Sequence, residues 1–423
     1  MLLKKNKYIK VLQRDDQCIF VNRLNGKWIR MPRDVADILR YADEMSKSDS
    51  EVESMLFDEE DRIFFKNMLH ELEKMEFFYT VNAIPFRVDN VSYSITDRCN
   101  LKCKHCMVSA KTNFDSDYFD TSEIKENLLK IIELNPDNLI ITGGEPMLRK
   151  DFIEISRFCR ERFGGILTLM TNGTLINESN VTEIVSCYDS VDISIDGYDE
   201  VTCSLIRGKG VFSKIIDSIR SLSENGMKKI NTSMVLSGTN VNYIDEYILL
   251  NKRLGTRPML RALSFEGRAK SNEEDLKKDF SDNLSNNKQH FESTKNSAQS
   301  KSEEFRSCSC TAGYDQLVIE ANGNIYPCNL FIGEQYIMGN IRKIDKLKNV
   351  FSNTDCCMAS CVEKYDPSRY DRCKDCDVSY LCWSCLYSMV NLSDRKFEER
   401  CKYQKNILDK VWSSSYELHS AYD

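Results

Sequence analysis

Three cysteines stand at Cys99, Cys103 and Cys106 in the stretch TDRCNLKCKHCMVS, residues 96–109. Thiols at C-x3-C-x2-C spacing in a chain without disulfide context point to metal or cluster ligation. A structural zinc site closes a tetrahedron with four ligands, and His105 sits between two of the cysteines, where it cannot comfortably turn inward with both. Three thiolates instead suit three irons of a four-iron cluster, whose fourth iron stays open to a small molecule. Three short motifs follow downstream: GGEP at Gly143 to Pro146, TNGT at Thr171 to Thr174, and SIDG from Ser194 to Gly197. Gly143 and Gly144 let the backbone approach a ligand closely, and Glu145 can accept a hydrogen bond from an ammonium group.

These residues must be carried by elements that bring distant loops together. Strand-like runs VSYSIT, NLIIT, ILTLM, SVDISID, INTSMVL and PMLRALSF alternate with amphipathic stretches near 121–134, 150–163, 177–187, 210–225 and 240–252. Such alternation predicts parallel β/α units in an α/β fold, five or six in sequence, hence a full or partial barrel. The cysteine loop and the three motifs each follow one of the first four strands. All four then fall on the rim formed by the strands' carboxyl ends, where barrels of this kind build their active sites.

Composition limits the alternatives. The chain has 423 residues, 41% of them apolar and 29% charged, and a net charge of -7. That describes a globular protein of two or three domains and argues against nucleic acid as a general partner. No apolar run approaches membrane-spanning length, and the start MLLKKNKYIKV lacks the apolar region of a secretory signal, so a cytoplasmic location is expected. Eleven of the eighteen cysteines lie after residue 300, which again favours clusters over disulfides. Cys18, Cys159, Cys187 and Cys203 read as small buried hydrophobes.

Taken together, Cys99, Cys103, Cys106 and GGEP resemble the radical S-adenosylmethionine (radical SAM) enzymes. The resemblance implies a 4Fe-4S cluster on the three cysteines, SAM chelating the open iron, and reductive cleavage to a 5'-deoxyadenosyl radical that takes hydrogen from substrate. It also implies a reductant such as flavodoxin or ferredoxin. Gly143, Gly144 and Glu145 match the loop that holds the methionine part of SAM, with Ser194 and Arg207 as looser candidates for SAM contacts. The later cysteines resemble the SPASM extension of that family, which carries two auxiliary 4Fe-4S clusters. By its pattern Cys310, Cys328 and Cys385 would serve the first, with Cys308 as a fourth ligand, while Cys373, Cys376, Cys382 and Cys401 would serve the second. The interval Cys382-x2-Cys385 is one residue shorter than usual. Cys356, Cys357 and Cys361 fall outside the pattern.

Residues 7–31 hold three short runs rich in β-formers, and helical periodicity follows at Val35, Ile38, Leu39, Ile63, Leu69 and Leu72. This looks like the winged-helix RiPP recognition element, which implies a precursor peptide whose leader adds a strand to the sheet edge. Residues 1–80 contain 14 Lys and Arg against 16 Asp and Glu, without the basic helix that DNA binding requires. The expected organisation is a winged-helix-like domain over 1–84, a partial (β/α)6 radical SAM barrel over 90–266, a polar linker or lid over 267–306, and a cysteine-rich SPASM domain over 307–423. The expected function is a peptide maturase installing a crosslink, a thioether before a carbon-carbon bond. The alternatives are a sulfatase-maturing (formylglycine-forming) enzyme, a SPASM oxidoreductase acting on a small molecule, and a cluster-bearing peptide-binding or electron-relay protein. Sulfatase-maturing enzymes carry an aspartate after the cysteine that Cys328 matches, whereas this chain has Asn329, an amide that cannot accept a proton near neutral pH.

Overall fold

A computed structural model describes residues 1–23, 25–78, 88–112, 116–278, 310, 312, 313, 315–352, 364–383 and 385–413. The chain forms two units, one of Met1–Phe86, Lys301–Ala312 and Ser360–Asp423, the other of Arg87–Ser300 and Gly313–Ala359.

The first unit begins with an antiparallel sheet, β1 (Ile9–Arg14), β2 (Gln17–Asn22) and β3 (Trp28–Pro32), in that spatial order. Asp15 and Asp16 alone join β1 to β2, with Arg14 opposite Gln17, and Asp15 takes φ 52°, a left-handed conformation that Asp tolerates in tight hairpins. Helices α1 (Arg33–Glu44), α2 (Asp49–Glu53) and α3 (Glu59–Lys74) follow. One sheet face, with Ile9, Cys18, Phe20, Ile29 and Met31, packs on Val35, Leu39, Phe65, Met68 and Leu72 of α1 and α3. Ile63, expected in that stripe, is 53% exposed instead. The other face, with Leu12, Ile19, Val21 and Trp28, packs on Val378, Tyr380, Leu381, Leu408, Val411 and Trp412. Both faces of β2 are therefore buried, which accounts for its unbroken run QCIFV.

Three short helices carry the C-terminal part of this unit: here Ser379–Cys382, Leu386–Val390 and the longer Asp394–Leu408. Ion pairs tie them and their loops to the sheet. Arg14 donates from Nε to Asp377 and from Nη1 to Asp409, both at 2.6 Å, and the fully buried Arg23 lies 3.1 Å from Asp366. Lys10 reaches the same Asp366 oxygen at 3.1 Å, and the Tyr380 hydroxyl donates to its other oxygen at 3.0 Å. Burial pushes the Asp366 carboxyl up, but Ser368, Arg23 and Lys10 outweigh it and hold it at about 2.

The second unit holds the six parallel strands read from the sequence: β4 (Asn90–Ser94), β5 (Asn138–Thr142), β6 (Ile166–Thr171), β7 (Ser190–Ser194), β8 (Ile230–Leu236) and β9 (Arg257–Ala262), adjacent in that order. The connecting helices are α4 (Thr121–Glu133), α5 (Phe152–Arg162), α6 (Val181–Cys187), α7 (Glu200–Arg207), α8 (Phe212–Glu224) and α9 (Ile244–Leu254). Asp120 opens α4 with a reciprocal capping box to Glu123. Three more strands, β10 (Gln316–Ile319), β11 (Asn324–Tyr326) and β12 (Gly339–Asn340), extend the sheet to nine, with β10 parallel to β4 and the hairpin running back antiparallel.

Residues 307–423, read as one C-terminal domain, are thus divided between the two units. The polar stretch from 267 starts with two short helices, α10 (Arg268–Ser271) and α11 (Glu273–Lys277). Its remainder, read as linker or lid, lies outside the described residues. No helix among the described residues is long and apolar enough to cross a membrane.

Candidate cluster sites

The cysteine loop leaves the carboxyl end of β4 and is held there by its neighbours. Gly144 N donates to Thr96 O at 2.8 Å and Glu145 N to Arg98 O at 2.7 Å. A Cβ at Gly143 would come 2.3 Å from the Thr96 oxygen, and one at Gly144 equally close to that of Arg98. The glycines therefore allow the GGEP loop to lie against the cysteine loop's own backbone, a closer reason for them than the approach of a ligand.

Glu145 is fully buried. Its Oε1 accepts from Thr171 Oγ1 at 2.8 Å and Met147 N at 3.2 Å, and its Oε2 from Asn172 N at 2.7 Å. Burial pushes its carboxyl up, against these donors. Glu145 thus locks GGEP to TNGT, and Asn172 passes the link on by donating to Asn100 at 2.8 Å and approaching Cys99 Sγ at 3.9 Å.

Cys99 and Cys103 are buried and Cys106 half-buried. Burial pushes the Cys99 thiol up to about 11, and like-charge repulsion from Glu145, Cys103 and Cys106 adds to this. Burial also raises Cys103, while Arg207 and Arg268 favour its thiolate. Three thiols that repel one another as thiolates need a cation among them. Among the described residues no three such side chains converge tightly enough for a single metal ion, and an iron-sulfur cube spreads its cysteines wider than one ion does. The donor set fits a cluster with one iron left without a protein ligand.

A buried charge network backs this loop. His105 Nε2 lies 2.5 Å from Asp196 Oδ2, and Arg207 reaches the same oxygen at 2.6 Å. Arg207 Nη1 also lies 3.9 Å from Cys103 Sγ. Burial pushes the Asp196 carboxyl up, but Arg207 and His105 outweigh it and hold it well below the usual carboxylate range. Arg207, expected as a SAM contact, forms a buried ion pair behind the cysteines, and Ser194 sits half-buried 3.4 Å from Ser233 Oγ. Arg268 closes the loop from its other side: its N donates to Cys106 O at 2.9 Å, its Nε to Cys103 O at 3.2 Å and its Nη1 to Ala110 O at 2.8 Å.

Asp196 and Arg268 were not singled out from the sequence, and His105 was read only as a residue that cannot join the cysteines as a ligand. Asp196 carried a signal, an Asp-Gly pair closing a strand, and it takes φ 57° there. Arg268 carried none, because its helix is one turn long inside a polar stretch.

A carboxylate on the neighbouring strand was also missed. Glu320 follows β10, whose Ile319 pairs with Tyr93, so it continues the register beside Ser94. Tyr93 points to α4, where Asn127 donates to its hydroxyl at 3.0 Å, so Ser94 and Glu320 point to the opposite face of the sheet. Glu320 is half-buried, and its carboxylate has no hydrogen bond or ion pair among the described residues. Burial pushes its carboxyl up, and Asp97 adds to the shift.

The other cysteine group lies in the first unit. Cys373, Cys376, Cys382 and Cys401 line one small cavity of about 20 Å³, together with Arg372, Trp383, Met389, Arg400 and Lys405. Burial pushes Cys373 and Cys376 up and Cys382 to about 11; Trp383 opposes it at Cys373, Lys405 at Cys376 and Arg400 at Cys382. Four thiols inside a cationic wall fit a fully ligated cluster. Of the residues expected at the first auxiliary cluster, Cys310 and Cys385 belong to the first unit and Cys328 to the second, all half-buried. Cys308, Cys356, Cys357 and Cys361 lie outside the described residues. Cys18, Cys159, Cys187 and Cys203 are buried, as read.

Comparison with known proteins agrees with this geometry. Residues 93–250 match the radical SAM superfamily and residues 308–377 the SPASM iron-sulfur cluster-binding domain. The chain is a radical SAM enzyme with a SPASM domain, and its cofactors are 4Fe-4S clusters and SAM. It is 25% identical to the mycofactocin maturase MftC of Mycolicibacterium smegmatis over 281 residues, 63% of this chain and 70% of MftC. Its fold resembles Streptococcus suis SuiB bound to the precursor peptide SuiA, with a TM-score of 0.56 at 16% identity over 92% of this chain and 97% of SuiB. It also resembles native anSMEcpe with bound AdoMet, with a TM-score of 0.52 at 20% identity over 77% of this chain and 99% of that one.

Proposed function

We propose that this enzyme is a peptide maturase that installs a crosslink in a ribosomally made precursor peptide. The observation that carries the reading is the sheet of the first unit. Both of its faces are packed, so a partner can extend it only along an edge, and at β1 a cavity of about 220 Å³ opens against α1. Val11, Phe20, Leu39 and Phe77 form its apolar floor, with Lys5, Asp37 and Arg40 at its margin. An extended peptide added to such an edge gains main-chain hydrogen bonds, and alternate side chains enter the pocket. The leader of a precursor peptide is the partner this arrangement suits, and the resemblance to SuiB, solved with its own precursor peptide, supports the same reading.

With cluster and SAM in place, the cofactors supply a 5'-deoxyadenosyl radical that takes hydrogen from a substrate carbon. The residues of this chain do the rest by position. Cys99, Cys103 and Cys106 would hold the cluster, Glu145 ties the two rim loops together, and the Asp196 network fixes the loop from behind. Gly143, Gly144 and Ser194 remain on the rim where SAM would lie. Cys373, Cys376, Cys382 and Cys401 would hold a cluster that takes up the surplus electron when the bond closes, and Cys310, Cys328 and Cys385, with Cys308, another.

The thioether is the bond we favour. If Cys308 does not ligate, the iron it leaves open can bind a substrate thiolate, which then needs no protein base. Glu320 supports a second reading. It is an unpaired carboxylate on the hairpin that leads to Cys328, able to take the proton released when a carbon-carbon bond forms at an aromatic ring. Mass spectrometry of the product, with the precursor encoded by a short reading frame beside the gene, decides between them. Loss of two hydrogens with one cysteine no longer alkylated by iodoacetamide supports the thioether, whereas loss of two hydrogens with every cysteine alkylated supports the second reading. An unmodified peptide, despite ongoing SAM cleavage, would leave the maturase reading without support.

A further inference from the structure

Trp383 stands between Cys382 and Cys385 and is 1% exposed; among the described residues its indole Nε1 completes no hydrogen bond, and the group it bears on is the Cys373 thiol, whose thiolate it favours. A buried N–H left without an acceptor is destabilising, and native interiors nearly always provide one. The ring packs against Tyr370, with centroids 4.8 Å apart, and lines the cavity of Cys373, Cys376, Cys382 and Cys401. The cations of that wall have other commitments. Arg400 donates to Met389 Sδ at 3.2 Å and to Cys382 O at 3.1 Å, and Arg372 donates to Asp394 at 2.9 Å. Among the described residues Trp412 also has an unpartnered indole N–H, but it lies under the Arg14 guanidinium and does not line the cavity.

We propose that Trp383 Nε1–H donates a hydrogen bond to a sulfur of the four-iron cluster held by Cys373, Cys376, Cys382 and Cys401, and thereby raises the reduction potential of that cluster. The inference rests on the reading of this cavity as a cluster site. One-electron reduction adds negative charge that is shared by the sulfurs, so a donor fixed in a dry wall stabilises the reduced state more than the oxidised one. Trp383 is in this sense a positioning residue for electrons: it sets how readily the cluster accepts the electron left over from bond formation.

The test is a potentiometric titration, followed by electron paramagnetic resonance, of the anaerobically reconstituted full-length enzyme. It compares wild type, Trp383→Phe, and a protein with 3-benzothienylalanine at 383, which keeps the indole shape but replaces N–H by sulfur. The signal is assigned with the variant in which Cys373, Cys376, Cys382 and Cys401 are all Ala. Both Trp383 replacements are expected to keep their iron and to disfavour reduction of this cluster about tenfold, a fall of ~59 mV for one electron, with the other midpoints unmoved. An unchanged midpoint in the benzothienylalanine protein would overturn the proposal, as would loss of the cluster from it, because the indole would then serve assembly. If the four-cysteine variant retained all its iron, the reading of the cavity itself would fail, whatever Trp383 did.

Discussion

The two described cysteine groups of this enzyme are built for different work. Cys99, Cys103 and Cys106 offer three thiols on a loop at the carboxyl rim of a parallel sheet, with the Asp196, His105 and Arg207 network behind them. Cys373, Cys376, Cys382 and Cys401 offer four thiols in a small cavity walled by Arg372, Arg400 and Lys405. An incomplete ligand set leaves an iron to which a substrate or cofactor can bind, whereas a complete one permits only electron transfer. The difference shows that the number of thiols and the charge around them, more than the presence of cysteine, separate a site for chemistry from a site for electrons.

The comparison breaks most sharply under cysteine replacement. Exchanging Cys99, Cys103 and Cys106 for Ala should remove about four of about twelve irons and abolish reductive SAM cleavage, while exchanging Cys373, Cys376, Cys382 and Cys401 should remove a similar number and leave SAM cleavage within a few-fold of wild type. Iron analysis and 5'-deoxyadenosine yield check both.

Deleting residues 1–84 comes next. The sequence pattern alone reads this segment as independent, in which case no iron would be lost. Leu12, Ile19, Val21 and Trp28 share a core with Leu381, Leu408, Val411 and Trp412, so the deletion should cost the second site its cluster, about four irons, and spare the first. Full iron content in the truncated protein would restore the independent reading.

Asp196→Asn tests the first site alone. Removing one partner of a buried charge network costs about 3–5 kcal/mol, so the variant should melt lower and release iron from the first site faster to a chelator. Iron release from the second site should not change.

The smallest effect is one of pH, at Asp366 beneath the second site. Its carboxyl is held at about 2, below the usual range, so its contribution to stability is complete above about pH 4 and is lost only as pH falls toward 2. The melting difference between wild type and Asp366→Asn should stay constant from about pH 8 to 5. A gap that closes already in that interval would show that another group carries it.

How much of this was legible in the sequence depended on whether a pattern was local. The six parallel strands announced themselves by apolar runs between amphipathic helices, and the cysteine spacings by their density. Three strands of the nine-stranded sheet were not legible, because nothing in QLVI says that its partner is β4, more than two hundred residues earlier, and NIY joins the sheet only through QLVI. The run QCIFV in β2 does say that both its faces are covered, but not by what. Arg207 and Glu145 were found as rim residues. Their side chains are also tied inward because a buried charge must be paired: Arg207 meets Asp196 of the same β7–β8 connection, and Glu145 meets Thr171 at the end of β6.

The central claim is that the open iron belongs to the Cys99, Cys103 and Cys106 site. Electron-nuclear double resonance on the reduced enzyme with SAM labelled with ¹⁵N at its amino group and ¹⁷O at its carboxylate tests it directly. Hyperfine coupling to both labels should appear in wild type and in the variant lacking Cys373, Cys376, Cys382 and Cys401, and should vanish when Cys99, Cys103 and Cys106 are Ala. Coupling that survives in the latter variant would contradict the account.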